Sequence, residues 1–418
     1  MKTIVVNLRD DTRIPFLRGI LTRSLLDAGL SFDQAFKLAS KVRKELDNVA
    51  EISSDDLYTM VQSKLDNHAD QEVRENYRLP LASPTRIIVN SLGGNASTFS
   101  RGRHERYLLS SGIKDKVAEE TTAKVFDQLL FHGAETISTC QLGYLTYLCL
   151  AQDVGKKAAR RYLRWSEFQR RDKPLLLLIG GAVGTGKSSV TTEIAHRLEI
   201  VRTQSTDMLR EVMRVMVPAS LLPVLHKSSF EAWQAMPNRG PHNEDHEKLV
   251  AEGFLAQAQL VSVPSRSVLQ RAERERSSMI LEGVHALPEL LEDVIEDPET
   301  ITVHVTLAVL KSSELKSRLR GRSSEEPRRK AKRYLKGFES IWSLQSFLLS
   351  EADVHDAPII TNDDRNKAIH QIIVVINDEL SKHFSGTPEM VFGDVVTQLE
   401  DRPERESWVE LVPELING

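Results

Sequence analysis

Gly181, Gly186, Lys187 and Ser188 fall in the spacing G-x-x-x-x-G-K-S, within the stretch IGGAVGTGKSSV at residues 179–190. An apolar run from Pro174 precedes the motif, and a helical pattern from Val190 to Leu198 follows it. A loop that opens a helix aims unpaired N–H groups and the positive end of the helix dipole at an anion. The backbone from Gly181 through Ala182, Val183, Gly184, Thr185, Gly186, Lys187, Ser188 and Ser189 is therefore expected to cradle ATP. In that cradle the Lys187 ammonium belongs at the β- and γ-phosphates and the Ser188 hydroxyl at Mg²⁺.

Other reactive residues follow at regular stations. Asp207, in QSTDMLREVMR, stands 20 residues beyond Lys187, where its carboxylate can take a proton from an acceptor hydroxyl or simply cap the next helix. Arg210 and Arg214 lie four apart on one helix face, a spacing of guanidinium forks suited to a phosphate or carboxylate on the acceptor. Glu282, in SSMILEGVHALP, fits an acid that holds Mg²⁺ through water. His285, three residues on, reads either as a substrate contact or as a structural imidazole. His226 and Lys227, in VLHKSSF, complete the candidate acceptor site.

From Lys311 to Lys336 eleven Lys or Arg oppose three Glu. Such a run is a solvated helix face, a nucleic-acid patch or a lid. Its place between the last two strands favours a lid, whose closure brings arginines to the transferring phosphoryl group and expels water. Arg322 and Arg329 are the candidates for that catalytic charge, and Arg318 and Arg333 for substrate contacts.

These residues need a scaffold that gathers loop ends. Candidate strands at Leu175–Ile179, Val201–Ser205, Met279–Leu281, Thr302–Leu307 and Pro358–Ile360 alternate with helices, which predicts an α/β core with a five-stranded parallel sheet. Each motif then falls at a strand's C-terminal end, where open α/β sheets bind ligands. Ahead of the core the chain repeats itself. Phe16, Arg18, Gly19, Arg23, Gly29, Ala35, Val42 and Leu46 recur 83 residues later as Phe99, Arg101, Gly102, Arg106, Gly112, Ala118, Val125 and Leu129, and Ile52, Ser53, Leu57 and Leu65 recur at an offset of 85. A fixed register of this kind marks an internal duplication. Each copy is expected to be a small, mainly helical module with a strand pair at its start and, in the first, a helix capped by Ser53.

The 418 residues carry a net charge of −4 and two cysteines, Cys140 and Cys149. No global basic field points to nucleic acid, and two cysteines without a CxxC pattern read as buried thiols rather than a metal site. The longest apolar run, Leu175 to Val183, is too short for a bilayer, and the N-terminus lacks a signal-peptide core. A cytoplasmic enzyme with a small anionic substrate, and with neither nucleic acid nor membrane as partner, is the expectation.

The repeats resemble the ATP-cone, a regulatory nucleotide-binding module, through RDDTRIPFLRGILTRSLLDAGL and EISSDDLYTMVQSKL and a weaker second copy ending in AARRYLRW. SLGGNASTF replaces the charged turn of the second copy. Arg18 and Arg101, beside the repeated Phe, are the residues this resemblance singles out for a regulatory nucleotide. Together GTGKSS, STDMLREVMR, ILEGVHALP, RLRGR with RRKAKRYLKGFESIWSLQSFLL, and PIITND resemble the 2-phosphoglycerate kinase family of P-loop kinases. The resemblance implies phosphorylation of 2-phosphoglycerate to 2,3-bisphosphoglycerate by ATP with Mg²⁺. The expected organisation is two modules at 1–80 and 83–172 that offer a surface for self-association and a kinase domain at 173–385 with its lid near 311–336; the second module and an acidic tail at 386–418 depart from the family pattern. Spacing and charge alone leave open another phosphorylated acceptor, such as a sugar or inositol phosphate, and an ATP-hydrolysing switch.

Overall fold

A computed structural model of the chain describes residues 3–7, 12–16, 18–30, 32–47, 49–65, 73–74, 77, 87–91, 93–171, 173–236, 245–321, 328–396 and 407–417. The first repeat forms β1 (Ile4–Asn7), β2 (Thr12–Pro15), α1 (Arg18–Asp27), α2 (Phe32–Glu45), β3 (Glu51–Ser53) and α3 (Ser54–Leu65). The second forms β4 (Ile88–Asn90), β5 (Ala96–Thr98), α4 (Arg101–Ser110), α5 (Asp115–Phe131), β6 (Thr136–Ser138) and α6 (Thr139–Cys149). In both, the first strand pairs antiparallel with the second and parallel with the third, giving the same three-stranded order. The third strand goes beyond the expected strand pair, because EIS and TIS are too short to show alternation. Ser53 does cap α3: its Oγ accepts the Asp56 N–H at 3.0 Å and donates to the Asp56 carboxylate at 2.7 Å, a reciprocal cap.

The copies differ inside. Where the first buries Leu21, Ala39 and Val61, the second buries His104, Thr122 and Thr146. The His104 ring bonds Thr122 Oγ1 at 2.9 Å through Nδ1 and Thr146 Oγ1 at 3.0 Å through Nε2. Burial holds its pKa down to about 4, so the imidazole is neutral.

The chain divides into two compact units, residues 1–99, 126–139 and 412–418 in one and 100–125 and 140–411 in the other. Helices of the second repeat share the second unit with the α/β core. On α7 (Lys156–Arg170), Trp165 and Phe168 join one hydrophobic cluster with Ile372 and Phe384. Ser110 Oγ donates to Arg197 O at 2.8 Å, and its own carbonyl accepts from Asn377 Nδ2 at 3.0 Å.

The core comprises β7 (Leu175–Gly180), α8 (Lys187–Arg197), β8 (Arg202–Ser205), α9 (Thr206–Met216), α10 (His246–Arg274), β9 (Met279–Glu282), β10 (Ile301–Ala308), α11 (Ser312–Gly321), α12 (Arg328–Lys336), α13 (Phe338–Val354), β11 (Ile359–Thr361) and α14 (Arg365–His383). The five strands pair in parallel in the order β11-β10-β7-β9-β8. β7 is buried throughout, as a leucine run in a parallel sheet requires. Leu175, Leu177 and Ile179 face a cluster with residues of α8 and α14, while Leu176 and Leu178 face one with Leu269 and Ala272 of α10. Cys140 and Cys149 are buried free thiols, and burial pushes the Cys149 thiol up to about 12. Among the described residues no helix is long and apolar enough to cross a membrane.

Candidate active site

The loop between β7 and α8 owes its shape to what packs against it. Gly186 has φ +89°, and a Cβ there would lie 2.6 Å from Asn362 Nδ2. That amide is buried and donates to Thr185 O at 2.7 Å, fastening the loop to the end of β11. Thr185 Oγ1 and Lys187 Nζ both donate to Ala182 O, each at 2.9 Å, so the ammonium stays beside the loop's own backbone. With α8 beginning at Lys187, donors, dipole and charge converge on one anion.

The acidic partner arrives on the next strand of the sheet. Glu282 ends β9, is 9% exposed, and accepts from Ser188 Oγ at 3.1 Å. A hydroxyl and a carboxylate side by side at a phosphate loop form an oxygen donor pair of the kind a hard divalent cation takes. Their chemistry fits Mg²⁺.

Asp207 lies in the first turn of α9, immediately beyond β8, with a side chain 62% exposed and 3.7 Å from the Arg210 guanidinium. Arg210 is held by a bond from Nη1 to Lys227 O at 2.8 Å. Arg214 pairs with Glu211 at 2.6 Å. The Nε atoms of both arginines are buried without a hydrogen-bond partner among the described residues. The start of α9 approaches β9 so closely that a Cβ on Gly283 (φ +149°) would sit 1.8 Å from Thr206 Oγ1. Only glycine lets the two strand ends meet there.

One of the expected contacts, His285, has another place, and two more have partners of their own. His285 does not face the crevice: it is wholly buried, with Nδ1 3.2 Å from Thr206 Oγ1 and Nε2 2.9 Å from Gln257 Oε1. Burial lowers its pKa to about 3, which keeps it neutral and removes it as an anion ligand. His226 spends Nε2 on Val217 O at 2.8 Å. Lys227 contributes its backbone carbonyl to Arg210 and to Gln257 Nε2.

Of the arginines expected in a lid, Arg318 on α11 donates to Glu314 at 2.6 Å and to the Asn362 carbonyl, which ties α11 to the loop's anchor. Arg333 on α12 forks onto Glu231. Arg329 falls on α12, and Arg322 lies outside the described residues. Arg18 places its guanidinium 4.4 Å from the Phe36 ring, and Arg101 begins α4.

Asn362, Gln257 and Thr206 join the site without having been singled out by the sequence. Asn362 and Thr206 stand inside quoted motifs, PIITND and STDMLREVMR. Gln257 had no signal, since a glutamine in a long amphipathic helix looks like surface until its neighbours are known.

Comparison with known proteins gives relatives described as 2-phosphoglycerate kinases. The chain is 35% identical over 285 residues to a 2-phosphoglycerate kinase of Methanopyrus kandleri, covering 68% of this chain and 85% of that protein. A 2-phosphoglycerate kinase of Thermococcus kodakarensis is 34% identical over 286 residues, 68% and 94% respectively. That of Pyrococcus furiosus is 32% identical over 275 residues, 66% and 88%. No family model matches the chain.

Proposed function

The chain belongs to the 2-phosphoglycerate kinase family, and from that premise we infer that it transfers the γ-phosphoryl group of ATP to 2-phosphoglycerate, releasing ADP and 2,3-bisphosphoglycerate. The observation that carries this reading is a triphosphate cradle after β7 and an arginine-bearing helix after β8, at the same end of one sheet with β9 between them. Lys187 and Ser188 stand on one side, and Asp207, Arg210 and Arg214 on the other.

In this reading the acceptor's phosphate and carboxylate bind Arg210 and Arg214, with Lys227 and His226 lining the approach. Its free hydroxyl lies at Asp207, which orients it and takes its proton as the oxygen bonds to the γ-phosphorus and the bond to the bridging β–γ oxygen breaks. Lys187 stabilises charge on the departing ADP, and the role read for Arg318, Arg322, Arg329 and Arg333 is to neutralise the transferred group and exclude water on lid closure. Ser188 and Glu282 would hold Mg²⁺, which would supply charge neutralisation to the phosphates.

The repeats are read as two ATP-cone modules, at 1–80 and 83–172, ahead of a kinase domain at 173–385, with Arg18 and Arg101 as candidate contacts to a regulatory nucleotide. If added nucleotide alters neither particle mass nor the activity curve of the core-saturated enzyme, that part fails. The kinase reading is tested by ADP release against a panel of phosphorylated acids, sugars and inositols. Release that depends on 2-phosphoglycerate is expected. A stronger response to a sugar or inositol phosphate, or release without any acceptor, would replace it with another kinase or a hydrolytic switch.

A further inference from the structure

Beneath α9 runs a buried series of hydrogen bonds whose donors and acceptors can all be assigned. Gln257, on α10 and fully buried, reaches Val224 O at 2.6 Å and Lys227 O at 3.0 Å through Nε2. Carbonyls accept only from the amide's NH₂, so Oε1 faces His285 Nε2 at 2.9 Å and that ring nitrogen carries the proton. Nδ1 of His285 is then an acceptor, and it takes the Thr206 hydroxyl proton at 3.2 Å. Phe254 stacks on the ring with centroids 5.7 Å apart, and burial keeps the imidazole uncharged. The series ends at the two groups that matter on the acceptor side: Thr206 immediately precedes Asp207, and Lys227 O holds Arg210.

We propose that Gln257 and His285 are positioning residues of the acceptor site, locking the start of α9 and the turn Val224–Lys227 in one register so that Asp207 and Arg210 meet the same substrate. A fully satisfied buried network costs more to rearrange than apolar packing, because any shift orphans a polar group. Neither side chain touches the reactants. The inference rests on the reading of Asp207 and Arg210 as the acceptor side.

Gln257→Met keeps the volume and removes all three bonds. In the folded variant the KM for 2-phosphoglycerate should rise about tenfold while the KM for ATP stays within about twofold. His285→Leu should do likewise, and His285→Gln, whose amide can still donate to Gln257 and accept from Thr206, should recover most of the loss. Should Gln257→Met fail to fold, Thr206→Val cuts the same series at its other end and decides in the same terms. A folded variant with unchanged acceptor KM, or equal losses toward both substrates, overturns the proposal. Arg210→Ala, measured in parallel, separates the layers. If it leaves the acceptor KM unaltered, the acceptor assignment itself falls; if it raises that KM while Gln257→Met does not, only the positioning role falls.

Discussion

At Asp207 the sequence leaves a choice between capping a helix and handling a proton, and the N-cap position of α9 falls to Ser205 instead. The side chain is 62% exposed, and a carboxylate spent on a helix cap would bond to backbone N–H groups of the first turn. Asp207→Asn and Lys187→Ala are each expected to lower turnover about a hundredfold or more with the fold intact, checked by kcat alongside circular dichroism. Undiminished ATP-dependent phosphorylation by either variant contradicts that residue's role. The phosphate loop was legible in the sequence because its glycines, Lys187 and Ser188 lie together along the chain, and Glu282 was read from its place at a strand end. His285 was not, since whether an imidazole faces a crevice or a core depends on Gln257 and Thr206, 28 and 79 residues away.

Among elements, the link from β11 to the phosphate loop carries a consequence for nucleotide binding. Asn362→Leu removes the bond to Thr185 O and sets an apolar group against Gly186, so the KM for ATP should rise several-fold more than that for the acceptor. Equal KM values in mutant and parent would show that the loop holds its shape unaided. The duplicated modules allow a test of internal consistency. His104→Leu alone should destabilise the fold by about 1–3 kcal/mol by stranding the Thr122 hydroxyl. Adding Thr122→Ala and Thr146→Val rebuilds the apolar set of the first copy and should restore part of that loss. A thermal midpoint that falls further with each added substitution contradicts this account. The duplication and the five core strands were readable from register and periodicity. The three-residue strands β3 and β6 were not, because only pairing with β1 and β4 makes them strands.

At the scale of the whole molecule, His104, His285 and His304 are held neutral by burial, with pKa values near 4, 3 and 4 against an ordinary 6.5. Unfolded chains take up these protons below pH 6.5, whereas the folded protein does so only near 3 to 4. Their contribution to stability is therefore complete above pH 6.5 and declines on acidification, by about 1.4 kcal/mol per pH unit for each group within that window. Thermal midpoints should fall steadily from pH 7 to pH 4, and a flat profile would contradict the buried-neutral assignment. The helices of the second repeat belong to the same compact unit as the kinase sheet, an arrangement no sequence boundary announced because it depends on side chains such as Trp165 and Asn377 meeting distant partners. All of this serves one reaction, which phosphorus resonance can follow directly with ATP, Mg²⁺ and 2-phosphoglycerate in the tube. The account predicts 2,3-bisphosphoglycerate appearing one for one with ADP, and both forming about a hundredfold or more slowly with Lys187→Ala. ADP accumulating while 2-phosphoglycerate is recovered unchanged would contradict it.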